Sequence, residues 1–419
     1  MGKEGIDVDN KGKLIIIGSG ISAVSHLTLE AISFIKNADI VFYNVADPAT
    51  ELYIKDLNKN SIDLYEWYDD NKPRDETYVQ MAELMLQQVR NGKNTVGIFY
   101  GNAAIFATPT HRAIEIAKKE GYEAKILPGI SSLDCLFGDL NVDPADGCQI
   151  FEATDLLVRN RTINIDQSAI ILQVGAVGNF RFNFEKMNND KFDIFVDFLM
   201  TSYGNDHEII HYIASIYPFQ QPFIERVKIS ELKNYREKIT GISTFYIPPK
   251  IQKSLDNRYL EKMGLIASKD NSPEGGNLYG EREKIYISQI ATHKTPINYR
   301  PVKVKNALYN AILKLSLNPE LRDEFNKNPQ EALNKHFIEL NEDEKFALSS
   351  LKPGVVRFVM QGGTKEEILN RYGNADAVEP NKMMHVVFLH VEVDISVSDN
   401  NNSNNSWYII EKKQLSKDR

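Results

Sequence analysis

The chain has 419 residues, 42% hydrophobic and 25% charged, with a net charge of −8, a pI near 5.6 and a mean hydropathy of −0.35. That length exceeds one ordinary domain and predicts two or three units of unequal size. The acidic balance excludes a broad phosphate-binding surface, and hence nucleic acid as a partner, while no apolar run is long enough to span a membrane.

The opening MGKEGIDVDNKGKL lacks the apolar core of a signal peptide, and Asp7 stands where a myristoylation signal wants Ser or Thr, so the expected location is the cytoplasm. KLIIIGSG (Lys13 to Gly20) then reads as a buried strand ending in glycines, Leu27 to Lys36 as a helix, and ADIVFYN as a second strand. Thr77 to Asn91 reads as a helix, TVGIFYG (Thr95 to Gly101) as a strand, Thr110 to Glu120 as a helix, and AKILPGISS (Ala124 to Ser132) as a strand entering a turn. Such alternation predicts a mainly parallel sheet covered on both faces. Cys135 and Cys148 follow, too few for a disulfide framework and unlike any zinc-binding spacing.

A second α/β half is expected after residue 150, with strands at Ala169 to Gly178 and Ser243 to Lys250 and a packed helix at HEIIHYIASIY between them. Val302 to Leu351 carries signs of short helices: Asn-Pro openings at 318 and 328, and Asn341 with Glu344 three residues on as a capping box. Val386 to Val397 alternates as a half-buried strand, with Val387, Leu389, Val391, Val393 and Ile395 on one face. DNNNSNNS (Asp399 to Ser406) reads as a flexible linker, delivering Trp407-Tyr408-Ile409-Ile410 to a charged end.

GSG at the end of the first strand, GIFYGNAAIF and ILPGISS follow one another in the order and spacing of tetrapyrrole-methylase-like enzymes. Within that superfamily the chain most resembles the borosin precursors, in which a peptide-backbone α-N-methyltransferase is fused to its own substrate peptide. VADPAT, YDDNKPRDETYVQMAE, THRAIEIAKKEGYEAKILPGIS and STFYIPP carry the resemblance, densely over residues 13 to 250.

The resemblance implies an α/β, two-lobed class III methyltransferase domain at 1–250. A clasp at 251–398 would carry a small helical recognition module at about 302–351, followed by a flexible tail at 399–419 holding the core peptide. It implies S-adenosylmethionine as cofactor, with S-adenosylhomocysteine as product, and an interlocked homodimer in which each tail enters the partner's active site. A downstream protease would release the peptide. No metal is implied.

Methylating an amide nitrogen requires loss of its proton and stabilisation of the imidate oxygen, tasks suited to a cation and phenols. By the family's pattern Arg74 and Tyr78 would bind and polarise the acceptor amide, Tyr68 would help take its proton, and Tyr100 would shape the pocket for the methyl. A tyrosine base needs a neighbouring positive charge, for which Arg74 and the sulfonium of the cofactor are both candidates. The cofactor residues expected at strand ends are Gly18, Gly20, Gly101, Asn102, Ile105, Phe106, Ser131, Gln173, Ser243 and Thr244. The superfamily's usual Gly-x-Pro reads Gly101-Asn102-Ala103 here, which implies a looser loop.

His207-Glu208-Ile209-Ile210-His211 matches the HExxH zinc signature, but its apolar setting and the family's metal-free chemistry argue for a core helix instead. Trp407, Tyr408, Ile409 and Ile410 are the expected methyl acceptors, preferred to 386–395 because the alternation there predicts amides already bonded in a sheet. Two other readings stay open: a small-molecule methylase of the same fold, or a degenerate cofactor-binding scaffold.

Overall fold

The computed structural model describes residues 12–70, 72–184, 189–254, 256–263, 265–269, 279, 281–297, 307–374, 393–396 and 405–412. They fall into two units, one of Met1–Lys250 with Leu315–Glu320 and one of Ile251–Lys314 with Leu321–Arg419.

The first unit opens with a parallel sheet of β1 (Lys13–Gly18), β2 (Ile40–Asn44), β3 (Ser61–Asp63), β4 (Asn94–Phe99) and β5 (Glu123–Ile126), ordered β3-β2-β4-β1-β5. Its apolar runs are continuous because both faces are covered. Leu14, Ile16 and Phe42 face α3 (Arg74–Arg90) and α4 (Thr108–Lys119) through Met81, Met85, Leu86, Ala113 and Ala117. The alternate residues Ile15, Ile17, Val41 and Tyr43 face α1 (Leu29–Asn37) and α2 (Pro48–Leu57) through Phe34, Ile35 and Ile54. Thr28 caps α1 and Asp47 caps α2, ahead of Pro48 at a position that needs no N–H.

The second sheet is mixed: β6 (Cys148–Glu152) and β7 (Ser168–Leu172) are parallel, while β8 (Glu208–Ile213), β9 (Phe223–Lys228) and β10 (Thr244–Ile247) join antiparallel, in the order β6-β7-β10-β8-β9. One face packs Ile171, Ile209, Phe245 and Ile247 on Phe192, Phe195, Val196 and Leu199 of α7 (Phe192–Tyr203). The other sets Ile170, Ile210, Tyr212 and Tyr246 on Leu133 and Leu136 of α5 (Ser132–Leu140). HEIIH therefore lies on a strand and not on the expected helix, and its histidines point to separate partners: His207 Nε2 to the Pro248 carbonyl at 3.0 Å, His211 to Ser243 and Tyr235. A zinc pair one helical turn apart is not formed.

Short helices run from Ala307–Leu317 to Lys365–Tyr372, in the second unit apart from Leu315–Glu320, with the Asn341–Glu344 capping box present and Asn328 capping Pro329–His336. A three-stranded antiparallel sheet is ordered β11 (Leu265–Lys269), β13 (Asn405–Lys412), β12 (Val393–Ser396). Trp407 to Ile410 thus form part of a central strand rather than a free tail: Trp407 pairs with Asp394, Tyr408 with Val393 and Lys269, and Ile410 with Ala267. The contrast drawn between this stretch and 393–395 does not hold, because both belong to one sheet. Residues 386–392, 397–404 and 413–419 lie outside the described residues.

The Phe245 ring is fully buried and sits 6.1 and 6.2 Å from Phe192 and Phe195. Phe245→Ala should cost about 3–5 kcal/mol in urea unfolding, through lost burial and the cavity left behind.

Candidate active site

Backbone touches backbone at the carboxyl ends of β1 and β4. A Cβ on Gly18 would lie 2.2 Å from the Gly101 carbonyl oxygen, and one on Gly129 would lie 3.0 Å from Gly18 Cα. Gly20 and Gly101 exchange paired N–H to carbonyl hydrogen bonds of 3.0 Å, both at positive φ. Gly18 and Gly20 therefore support the site from beneath and are not among the residues lining its cavity.

Above them opens a cavity of 490 Å³, in the range of small-molecule sites. It lies at the strand carboxyl ends, where open α/β sheets bind ligands. Of the expected cofactor residues, Gly101, Asn102, Ile105, Phe106, Ser131, Gln173, Ser243 and Thr244 line it, joined by Tyr68, Tyr78 and Tyr100. Phe106 and Gln173 hold φ of 53° and 59°, strain that points to a functional surface. Ser131 is buried and capping α5, its N–H and hydroxyl both donating to Asp134 Oδ2 at 2.6 Å.

The loop after Gly101 is not loose despite lacking proline. The Ala104 N–H donates to Asn102 Oδ1 at 2.9 Å, the Ile105 N–H to the Asn102 carbonyl at 2.9 Å, and the Thr110 hydroxyl to the Ala103 carbonyl at 2.6 Å. His111 Nε2 adds a bond to the Ala104 carbonyl at 2.9 Å. An Asx turn and two side chains of α4 do what the ring would have done.

Burial raises the Tyr68 phenol above its ordinary value, and Tyr78 adds to the rise through its proximity and a hydrogen bond. A hydrogen bond from Asn44 and the charge of Arg74 pull the other way and lose. The phenol thus rests neutral, the charge of Arg74 alone being too little to offset burial. Burial, with Cys135 and Asp47 nearby, also pushes Tyr100 up to about 12. Arg74 itself does not line the cavity; its guanidinium donates to the Asn179 carbonyl and its backbone N–H to the Phe180 carbonyl at 2.9 Å. Trp407 to Ile410 belong to the other unit.

Three features escape a reading of sequence. Asn44 ends β2 and reaches Tyr68, signalled only by a polar residue closing an apolar strand. Tyr65 lines the cavity from the 3₁₀ turn before Tyr68. Behind the Ser243 wall, the fully buried His211 accepts from the Ser243 hydroxyl at Nε2 (2.7 Å) and donates from Nδ1 to the Tyr235 oxygen (3.0 Å). Tyr235 in turn donates to Glu225 at 2.8 Å, which fixes that tautomer.

Residues 13–222 match the family model of tetrapyrrole (corrin/porphyrin) methylases, and residues 278–395 match that of the borosin biosynthesis clasp domain. The chain is 40% identical over 389 residues to a methyltransferase and ribosomally synthesised type III borosin cyclic peptide precursor of Anomoporia bombycina, covering 88% of this chain and 45% of that one. It is 42% identical to the gymnopeptides precursor of Gymnopus fusipes (80% and 84% covered) and 44% identical to a type I borosin precursor of Coprinopsis marcescibilis (81% and 90%). It therefore spans less than half of the first relative and most of the other two. Fold and matched domain define a methyltransferase of the tetrapyrrole-methylase class. With the clasp and these relatives, the chain belongs to the borosin family. Among the described residues no helix is long and apolar enough to cross a membrane.

Burial lowers His211 from 6.5 to about 4. Because the folded value lies below the unfolded one, the associated stability is complete above pH 6.5 and is lost as pH falls toward 4. The shift is worth about 3 kcal/mol. Urea unfolding at pH 7, 5.5 and 4 should show a loss of that order in the wild type beyond the loss in His211→Gln.

Proposed function

We propose that this chain transfers methyl groups from S-adenosylmethionine to backbone amide nitrogens of its own C-terminal peptide. One observation carries the reading: Tyr68, Tyr78 and Tyr100 face the same cavity as the strand-end loops expected to hold the donor. The relatives' combination of methyltransferase and peptide precursor supplies the acceptor.

Gly101, Asn102, Ser131, Gln173, Ser243 and Thr244 would hold the donor, and the approach of Gly18 to Gly101 gives the backbone cradle that such a ligand requires. Bound there, S-adenosylmethionine supplies an electrophilic methyl on a cationic sulfonium, whose charge favours ionisation of a nearby phenol. Tyr68 first releases its own phenolic proton to solvent, and the phenolate then takes the proton of the acceptor N–H; its raised value makes that phenolate the stronger base. Tyr78 donates to the amide oxygen as negative charge grows on it. Arg74 contributes its positive charge from beside the cavity, where it favours the phenolate. Tyr100, kept neutral by burial, shapes the wall around the methyl.

The proposed acceptors, Trp407 to Ile410, are paired with β11 and β12, so this strand leaves its sheet before its nitrogens are reached. The same reading has two copies interlock in the cytoplasm, each offering its tail to the partner's cavity ahead of a protease that frees the modified peptide. The family's fusion of enzyme and precursor supports the tail as the substrate.

Fragment mass spectrometry after incubation with S-adenosylmethionine should show additions of about 14 Da on backbone nitrogens between positions 407 and 413. Arg74→Ala and Tyr78→Phe should slow the gain about a hundredfold or more. An unchanged mass in a chain that binds the donor would move the acceptor to a separate molecule.

A further inference from the structure

The loop carrying Tyr68 is held by a segment from much later in the chain. Asn179 to Phe184, NFRFNF, runs beside Asp70 and Lys72 to Arg74. The Arg74 N–H donates to the Phe180 carbonyl at 2.9 Å, the Phe182 N–H to the Lys72 carbonyl at 3.2 Å, and the Phe184 N–H to Asp70 Oδ1 at 2.9 Å. Pro73 and Arg181 form an antiparallel bridge, and the Arg74 guanidinium closes on the Asn179 carbonyl. This pairing holds Phe182 against the Tyr68 ring, stacked at 4.3 Å with 25° between planes. Tyr65 meets both Tyr68 and Phe182 edge-on, at 5.4 and 5.8 Å, while Phe184 packs on Tyr65 and Phe182 but makes no ring contact with Tyr68.

Ordinary core packing does not account for the segment, because Phe180 and Phe184 remain 68% and 51% exposed. We propose that Asn179–Phe184 is a positioning brace for Tyr68, acting through the Phe182 ring. The inference rests on the role given to Tyr68 above. A phenol on a surface loop turns about two side-chain torsions; one face against Phe182 and an edge against Tyr65 leave a single orientation into the cavity. The same stack keeps water from one face of the ring, so Phe182 also contributes to the dryness that holds the phenol neutral. The other groups facing that phenol are Tyr78 and Arg74 from α3 and Asn44 from β2.

The test uses the full chain with S-adenosylmethionine and compares Phe182→Ala, Phe182→Tyr and Phe184→Ala. Phe182→Ala should lower the rate of methyl transfer about ten- to a hundredfold, with donor affinity within about twofold of wild type and with the pH–rate profile moved to lower pH. Phe182→Tyr, which keeps the stacked ring, should restore rate and profile, and Phe184→Ala should have the smaller effect. Ultraviolet titration of Phe182→Ala, less the same variant carrying Tyr68→Phe, reads that one phenol whatever the acceptor is, and should place it lower than in the wild type. If the self-methylation reading fails, the downward move of that titration in Phe182→Ala still occurs, so the two failures are distinguishable. An unmoved Tyr68 titration, or equal losses in Phe182→Ala and Phe184→Ala, would overturn the brace.

Discussion

No side chain fits where β1 meets the turn after β4, and the active site is arranged around that fact. Gly18 and Gly129 let their backbone segments close to contact with the turn at Gly101, and the Gly20–Gly101 pair ties the two strand ends together. The loop that follows, secured by Asn102, Thr110 and His111, lines the cavity. A doubly covered parallel sheet supplies the rigidity, since Ile15 and Ile17 are buried on one face and Leu14 and Ile16 on the other. Two non-glycine residues on the cavity wall, Phe106 and Gln173, hold strained backbone that such a frame can sustain.

On that frame, burial and charge compete at Tyr68. Arg74 and Asn44 favour the phenolate, whereas burial and Tyr78 oppose it and prevail. The resting site therefore stores a neutral hydroxyl, which avoids an unpaired buried charge when nothing is bound. The second lobe contributes the Ser243 wall, fixed by a neutral, buried His211 whose hydrogen bonds run outward through Tyr235 to Glu225.

Much of this was legible in the residues. The alternation of apolar runs and amphipathic stretches from Lys13 to Ile126 has only one common architectural solution, and glycines at strand ends mark the ligand side. Eight of ten expected cofactor positions line the cavity because strand ends are local features. HEIIHYI was misread because a strand buried on both faces is a continuous apolar run, and Ile209, Ile210, Ile213 and Ile216 also satisfy a helical period. Its neighbours decide: Ile209 packs toward α7 and Ile210 toward α5.

The misses at the site share a cause. Phe182 and Asn44 reach Tyr68 only through tertiary structure, and local spacing carries no trace of either contact. The tail reading erred differently, since an Asn/Ser-rich linker gives no sign that WYII will pair with a strand more than 130 residues earlier. The most direct test of the central claim, that the glycine contact forms the donor's cradle, is a calorimetric titration of the chain with S-adenosylhomocysteine. The account predicts one site per chain, with affinity lowered at least tenfold in a folded Gly18→Ala variant, or about 1.4 kcal/mol. Equal affinity in that variant, or no binding by the wild type, would contradict it.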